Sequence, residues 1–107
     1  MSIGLGSGVE PLPEIAVVVS TYNGQEHIAE QIDSVLAQDV PHIRVYVRDD
    51  GSTDGTVELL EDYERRGLVF LTRGKNVGVV RSFIEAISLV PSEVPYIALC
   101  DQDDIWH

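Results

Sequence analysis

From residue 14 onward, short apolar runs alternate with segments whose apolar residues recur at helical spacing. The run Ile15–Val19 is rich in β-branched residues, which is typical of a strand buried on both faces. In residues 25–38, isoleucine, valine and leucine recur every three or four positions, which predicts an amphipathic helix. The full pattern predicts strands at 15–19, 42–50, 68–72 and 96–100, and helices at 25–38, at 56–66 and along a face with Val80, Phe83, Ile84 and Ile87. Gly67 stands where the C-terminal cap of the second helix belongs.

Strands that alternate with helices indicate the α/β class, with right-handed crossovers and a parallel sheet covered by helices on both faces. Ligands of such sheets bind outside the carboxyl ends of the strands. Three polar segments, "STYNG", "DDGSTDG" and "DQDD", directly follow predicted strands. We therefore expect all three to lie at one edge of the sheet.

Length and charge limit the classes of partner. The 107 residues suffice for one domain, and the formal net charge is −11. Such a surface repels phosphate backbones, so we expect no nucleic-acid partner. The single cysteine, Cys100, cannot form an internal disulfide, and the N-terminus lacks the pattern of a signal peptide. These features favour a cytoplasmic location and a flexible tail over residues 1–13.

The acidic segment "DQDD" allows two interpretations. Asp101 and Asp103 flank one residue, which suits a hard cation such as Mg²⁺ or Mn²⁺ that also contacts a ligand phosphate. The alternative is a solvated acidic turn. Asp104 is a third ligand, a helix cap or an exposed side chain.

The other two loops also carry candidate ligand contacts. Tyr22 offers a ring for stacking on a base, and the neighbouring Ser20 and Thr21 offer hydroxyl groups. Of the pair Asp49 and Asp50, one should face the cleft, because successive strand side chains point to opposite faces. Ser52 and Asp54 are equally explained as turn and helix-cap residues.

Three of the seven basic residues, Arg73, Lys75 and Arg81, lie within nine positions of one another. This cluster favours contacts with a diphosphate, although each residue alone also fits a solvated loop.

In order and spacing, the segments "IAVVVSTYNGQEHIAEQIDSVLAQ", "VYVRDDGSTDGT", "KNVG" and "YIALCDQDDIW" resemble the inverting family 2 glycosyltransferases of the GT-A type. The last segment is similar to the rhamnosyltransferase-like branch. The resemblance covers Glu14 to the last residue, so residues 14–107 match the nucleotide-sugar-binding half of that domain. It implies a Rossmann-like three-layer sandwich, a truncated GT-A fold, with a mostly parallel sheet in strand order 3-2-1-4.

The resemblance also implies roles for single residues. It assigns nucleotide binding to six residues, namely Ser20, Thr21, Tyr22, Asp50, Lys75 and Asp101. Asp50 matches the carboxylate that contacts the base. Asp101 and Asp103 match the metal-binding D-x-D signature, in which Mn²⁺ or Mg²⁺ holds the diphosphate. Two positions depart from the family pattern: Ser20 stands where a proline is usual, and an asparagine is common near Ser82.

For the full-length protein, the resemblance implies transfer of a hexose or deoxyhexose from a UDP- or dTDP-linked donor to a glycan or lipid-linked acceptor. Polysaccharide biosynthesis and association with a membrane are compatible with that activity. The family's general base lies beyond the D-x-D signature, so we expect this chain alone to be inactive. We also expect the fourth strand to lack a neighbour, which favours a homodimer through the exposed sheet edge.

Two other classes compete with this interpretation. A receiver-like or other non-catalytic α/β signalling module needs an acid pair after its first strand and a phosphorylatable aspartate after its third, and the sequence has neither. A sugar nucleotidyltransferase needs a glycine- and arginine-rich loop after its first strand, which "STYNGQEH" does not provide.

Overall fold

The computed structural model describes residues 15–38 and 42–101, the last of these by its backbone alone. The predicted tail, residues 1–13, lies outside the described residues. The strands are β1 (Ile15–Thr21), β2 (Ile43–Asp50), β3 (Phe70–Gly74) and β4 (Tyr96–Asp101). The helices are α1 (Ile28–Leu36), α2 (Thr56–Arg65) and α3 (Val79–Ile87).

The strands form one four-stranded sheet in the order β3-β2-β1-β4, and every pair of neighbours is parallel. Helices α1 and α2 cover one face, and α3 covers the other. The α/β class, the three layers and the strand order 3-2-1-4 are therefore confirmed.

Strand β1 lies between two hydrophobic clusters because its side chains alternate between the faces of the sheet. Val17 and Val19 join the α1 and α2 side, whereas Ala16 and Val18 join the α3 side. All four are fully buried. This explains why the strand reads as a continuous apolar run in the sequence.

Helix α3 differs from its predicted packing. Its buried residues are Ser82 and Ala86, with Phe83 and Ile87 partly buried against the sheet. Val80 and Ile84, which share an apolar stripe with Phe83, are exposed. The helix is rotated so that Ser82 reaches a buried polar network beneath it.

Strand β3 begins two residues later than predicted because Gly67 and Leu68, just before it, form the C-terminal cap of α2. The amide of Gly67 donates to the carbonyl of Glu64 at 2.9 Å, and that of Leu68 donates to Tyr63 at 3.0 Å. Gly67 has φ +74°, as expected of a Schellman cap. The Leu68 amide is therefore committed to the helix, and pairing with β2 starts at Phe70. The predicted capping role of Gly67 is confirmed.

None of the helices in the described part of the chain combines the length and the apolar character needed to cross a bilayer.

Candidate functional site

The carboxyl ends of three strands lie side by side at one edge of the sheet. Ser20 on β1 is in register with Arg48 on β2 and with Asp101 on β4, and Thr21 is in register with Asp49. The loops that begin with Tyr22 and Gly51 therefore leave the sheet at the edge where β4 ends with Asp101. This placement agrees with the expected convergence of "STYNG" and "DDGSTDG", whereas residues 102–104 of "DQDD" lie outside the described residues.

The first two of these loops hold each other through reciprocal hydrogen bonds. The amide of Asn23 donates to Oγ of Ser52, and the amide of Thr53 donates to Oδ1 of Asn23, both at 2.8 Å. Further along, the amide of Gly55 donates to Oε1 of Gln25 at 2.8 Å, and the amide of Gln25 donates to Asp54 at 3.3 Å. We call these four bonds the loop ladder.

Asp49 and Asp54 have turn-forming roles. Asp49 is buried and accepts hydrogen bonds from both the amide and the hydroxyl of Ser52, at 2.8 and 2.5 Å. Asp54 accepts the hydroxyl and the amide of Thr56 at 2.5 and 3.0 Å, just before α2 begins. The bond from the Thr56 hydroxyl is the main cause that lowers the pKa of Asp54 below its usual range. The turn interpretation of "DDGSTDG" therefore accounts for these two acids.

Asp50 lies on the other face of β2 and is only 3% exposed. Its Oδ1 accepts hydrogen bonds from Nη1 of Arg48 at 2.7 Å and from the amide of Val77 at 2.9 Å. Its Oδ2 accepts the amide of Gly78 at 3.1 Å. Asp50 thus joins the end of β2 to the loop between β3 and α3.

Arg48, which is 3% exposed, is the centre of this buried network. Besides Asp50, its Nη1 lies 3.0 Å from Oγ of Ser82, and its Nη2 donates to the carbonyl of Lys75 at 3.3 Å. The hydroxyl of Ser20 donates to that of Ser82 at 2.7 Å. The two departures from the family pattern, Ser20 and Ser82, are therefore in direct contact.

Arg48 is a site residue that the sequence pattern did not predict. A usable signal was present, because a basic residue two positions before an aspartate on the same strand shares a face with it. The contacts that link Arg48 to Ser82 and Ser82 to Ser20 join positions far apart in sequence, and no local pattern predicts them.

The three candidate phosphate-binding cations have different surroundings. Arg73 forms an ion pair with Glu61 at 2.8 Å, and Arg81 lies 3.5 Å from Glu85. Lys75 is exposed, and its ammonium group forms no ion pair within residues 15–38 and 42–101. Of the three, Lys75 is the one whose charge is not already neutralised by an acid in the described part of the chain.

The first loop presents one exposed ring and one buried hydroxyl. Tyr22 is 42% exposed directly after β1. The hydroxyl of Thr21 is buried and has no hydrogen-bond partner in the part of the chain that the structure describes. A ligand can therefore reach the Tyr22 ring in this conformation, whereas Thr21 needs a local rearrangement to contact one.

Asp103 and the side chain of Asp101, the proposed metal ligands, lie outside the described residues. Within the described residues, no cluster of three or more histidine, cysteine, aspartate or glutamate side chains is arranged to hold a metal ion. The backbone nevertheless places Asp101 beside Ser20, at the edge where the loops meet.

Two surface grooves flank this edge. One is lined by Asn23, Gln25, Glu26, His27 and Asp54, beside the loop ladder. The other is lined by residues 77–81 and Ile84, next to the loop that Asp50 holds. Both contain backbone or side-chain groups that belong to the loops at the carboxyl edge.

Comparisons with known proteins agree with this architecture. A crystal structure of S. aureus TarS in complex with UDP superposes with a TM-score of 0.76 at 29% identity, covering 86% of this chain and 28% of that one. The mannosyltransferase PcManGT of Pyrobaculum calidifontis, in complex with GDP-Man and Mn²⁺, gives 0.72 at 28% identity, covering 90% and 29%. The dTDP-rhamnosyl transferase RfbG of Shigella flexneri is 33% identical over 94 residues, which are 83% of this chain and 32% of that protein.

The chain spans between 27% and 37% of the length of the first curated relatives that it matches. The model of the family described as glycosyl transferase family 2 matches residues 16–107, which is most of the chain. This match leaves no support for the receiver-like or nucleotidyltransferase alternatives. The chain belongs to glycosyl transferase family 2.

Proposed function

We propose that the chain binds a nucleoside-diphosphate sugar, as the donor-binding part of a glycosyltransferase that transfers a hexose or deoxyhexose to a glycan or lipid-linked acceptor. The observation that carries the proposal is the meeting of Ser20, Asp50 and Asp101 at the carboxyl edge of a family 2 sheet. Sugar transfer belongs to the whole protein, whose relatives are about three times as long. This chain alone has no assigned general base. We expect it to be cytoplasmic.

We assign recognition of the base to Tyr22 and Asp50, with Ser20 and Thr21 beside them. A carboxylate offers about four acceptor sites, and groups in the described part of the chain occupy three of those on Asp50, which leaves one on Oδ2 without a described partner. That site suits one N–H donor of a base. The nucleotides named for the related proteins, UDP, GDP-Man and dTDP-rhamnose, all have a base with an imino N–H group. We expect a UDP- or dTDP-linked donor.

We assign the diphosphate to a divalent cation, Mn²⁺ or Mg²⁺, held by Asp101 and Asp103, with Lys75 as a further contact. Carboxylate oxygens are the usual protein ligands of both ions. A cation is also needed to offset a net charge of −11 when a diphosphate approaches. When bound, the cation would stabilise negative charge on the departing nucleoside diphosphate.

The test is titration of the chain with UDP and with dTDP, with and without Mn²⁺, by calorimetry. We expect binding that requires Mn²⁺, and at least a roughly tenfold loss of affinity for Asp103→Ala, because a metal ligand is removed. Asp62→Ala is the matched control, since it removes one exposed carboxylate from α2 and should bind as the parent does. Mn²⁺-dependent binding that is unchanged in Asp103→Ala would contradict the metal assignment, and no binding by the parent would contradict the donor-site proposal.

We also propose that the chain forms a homodimer through β4. Among the described strands β4 pairs only with β1, which leaves its other edge open. Tyr96, Ile97 and Leu99 are exposed on this strand, and no charged residue precedes Asp101 to block pairing with another strand.

A further inference from the structure

The Arg48–Asp50 pair is a buried ion pair in which each side chain is about 4% exposed. Taking two charges out of water is costly, and a buried pair is often no more stabilising than well-packed apolar residues of the same volume. Stability alone is therefore a weak reason for a guanidinium at this position. The contacts that Arg48 makes offer a better reason for its presence.

Arg48 connects three segments that surround the carboxyl edge. It contacts the end of its own strand through Asp50, helix α3 through Ser82, and the loop after β3 through the carbonyl of Lys75. Through Ser82 it is also linked to Ser20 at the end of β1. These contacts fix the planar guanidinium in one orientation, which an ammonium group on a flexible chain would not reproduce.

The backbone of β3 is adapted to this side chain. A Cβ atom at Gly74 would overlap Nη2 of Arg48, so the glycine lets the strand approach the guanidinium. The approach places the carbonyl of Lys75 within hydrogen-bond distance of Nη2. The loop that carries the Lys75 ammonium group is thus positioned by Arg48.

The same geometry controls which acceptor site of Asp50 stays open. Arg48 and the Val77 amide occupy Oδ1, and the Gly78 amide takes one site of Oδ2. With the guanidinium in place, the carboxylate cannot rotate without breaking these bonds. Among the described residues, one acceptor site on Oδ2 has no partner.

We propose that Arg48 is a positioning residue for donor recognition: with Ser82 and Ser20, it orients the Asp50 carboxylate so that its one open site accepts the imino N–H of the nucleotide base. This inference rests on the proposed function, because it assumes that Asp50 contacts the base. It adds Arg48 and Ser82, which set selectivity for the base without touching the ligand.

The experiment compares UDP with its N3-methyl derivative, in which the imino donor is replaced by a methyl group, by calorimetry in the presence of Mn²⁺. We expect the unaltered chain to prefer UDP by about tenfold or more, and Arg48→Met to reduce this preference to below about threefold. Arg44→Met is the matched control, because it removes the same charge from the same face of β2, where Arg44 lies over the ring of Phe70. The control should keep the full preference.

Arg48→Met leaves the Asp50 charge without its partner and can prevent folding. Ser82→Ala keeps the ion pair and removes only the hydroxyl that contacts both Arg48 and Ser20, so it provides a second test. We expect Ser82→Ala to lower the preference for UDP by about threefold, with Arg48→Lys showing a similar partial loss. Thermal unfolding of each variant reports a purely structural effect, which would lower stability and leave the preference for UDP unchanged.

The outcomes separate the two proposals. If the parent chain binds no nucleotide, the proposed function fails and this inference fails with it. If the parent binds UDP and its N3-methyl derivative equally, the donor site stands but Asp50 does not contact the base. If the parent discriminates and the folded Arg48 and Ser82 variants discriminate equally well, only the positioning role of Arg48 is overturned.

Discussion

At the scale of single residues, Tyr63 shows how one polar group can join two helices. Its hydroxyl donates from α2 to Oδ1 of Asp33 on α1 at 2.6 Å, and it also lies 3.3 Å from the carbonyl of Ala29. Burial, and then the hydrogen bond to Asp33, raise the pKa of Tyr63 to about 12. The folded protein therefore keeps this proton at a pH where an unfolded chain loses it.

This shift predicts a loss of stability at high pH. The folded pKa lies above the unfolded value of 10, so the contribution is fully present below pH 10 and is lost as the pH rises to about 12. Tyr63→Phe should lower the free energy of unfolding by about 1 kcal/mol near pH 8 and should flatten its decline between pH 10 and 12. Urea unfolding at several pH values measures both effects.

Tyr96→Phe is the control for this experiment, because Tyr96 is an exposed tyrosine on β4. It should reproduce the decline of the parent. An equally steep decline in Tyr63→Phe would mean that another group causes it.

At the scale of secondary-structure elements, the end of α2 depends on the backbone conformation of Gly67. A Cβ atom at this position would meet no other atom within 4 Å, so an added side chain would cause no clash. The positive φ alone makes the position unfavourable for residues with a Cβ atom.

Gly67→Ala should therefore lower the free energy of unfolding by about 1 kcal/mol, the cost of a non-glycine residue in the left-handed region. Gly67→Asn should lower it by less, because asparagine tolerates this conformation better. Urea unfolding of the two variants beside the parent measures the difference. If Gly67→Ala proved as stable as the parent, the cap of α2 would have to form without a residue in the left-handed conformation.

The helices and strands also show what the sequence could and could not predict. Local patterns predicted the order and type of the elements, because apolar periodicity and a capping glycine are encoded within a few residues, as at Ile15–Val19 and Gly67. The start of β3 was missed because the amide of Leu68 bonds to the helix instead of the sheet. The contact of Ser20 with Ser82 depends on the packing of α3 onto β1, which no local pattern specifies.

At the scale of the whole molecule, the sheet has edges with different protection. Strand β3 is short, and its Arg73 is paired with Glu61, whereas β4, the other edge strand of the described sheet, is apolar up to Asp101, and its Leu99 is 54% exposed. Charged residues on an edge strand oppose pairing with a second chain. The proposed homodimer should therefore depend on β4.

Leu99→Lys should abolish self-association, which we expect to increase with concentration in the parent chain. Light scattering coupled to gel filtration over a range of concentrations measures the mass of each form. Leu36→Lys adds the same charge at an exposed position on α1 and should leave association intact. A parent chain that stays monomeric at high concentration would contradict the homodimer.

The loop ladder has a consequence for how this edge can change shape. Residues 23–25 and residues 52–55 share four reciprocal bonds, so neither loop can hinge away alone without breaking them. An opening of this edge that keeps the four bonds moves both loops together. For the same reason, an insertion of one residue in one loop would misalign the donors and acceptors of the loop ladder unless the other loop were lengthened to match.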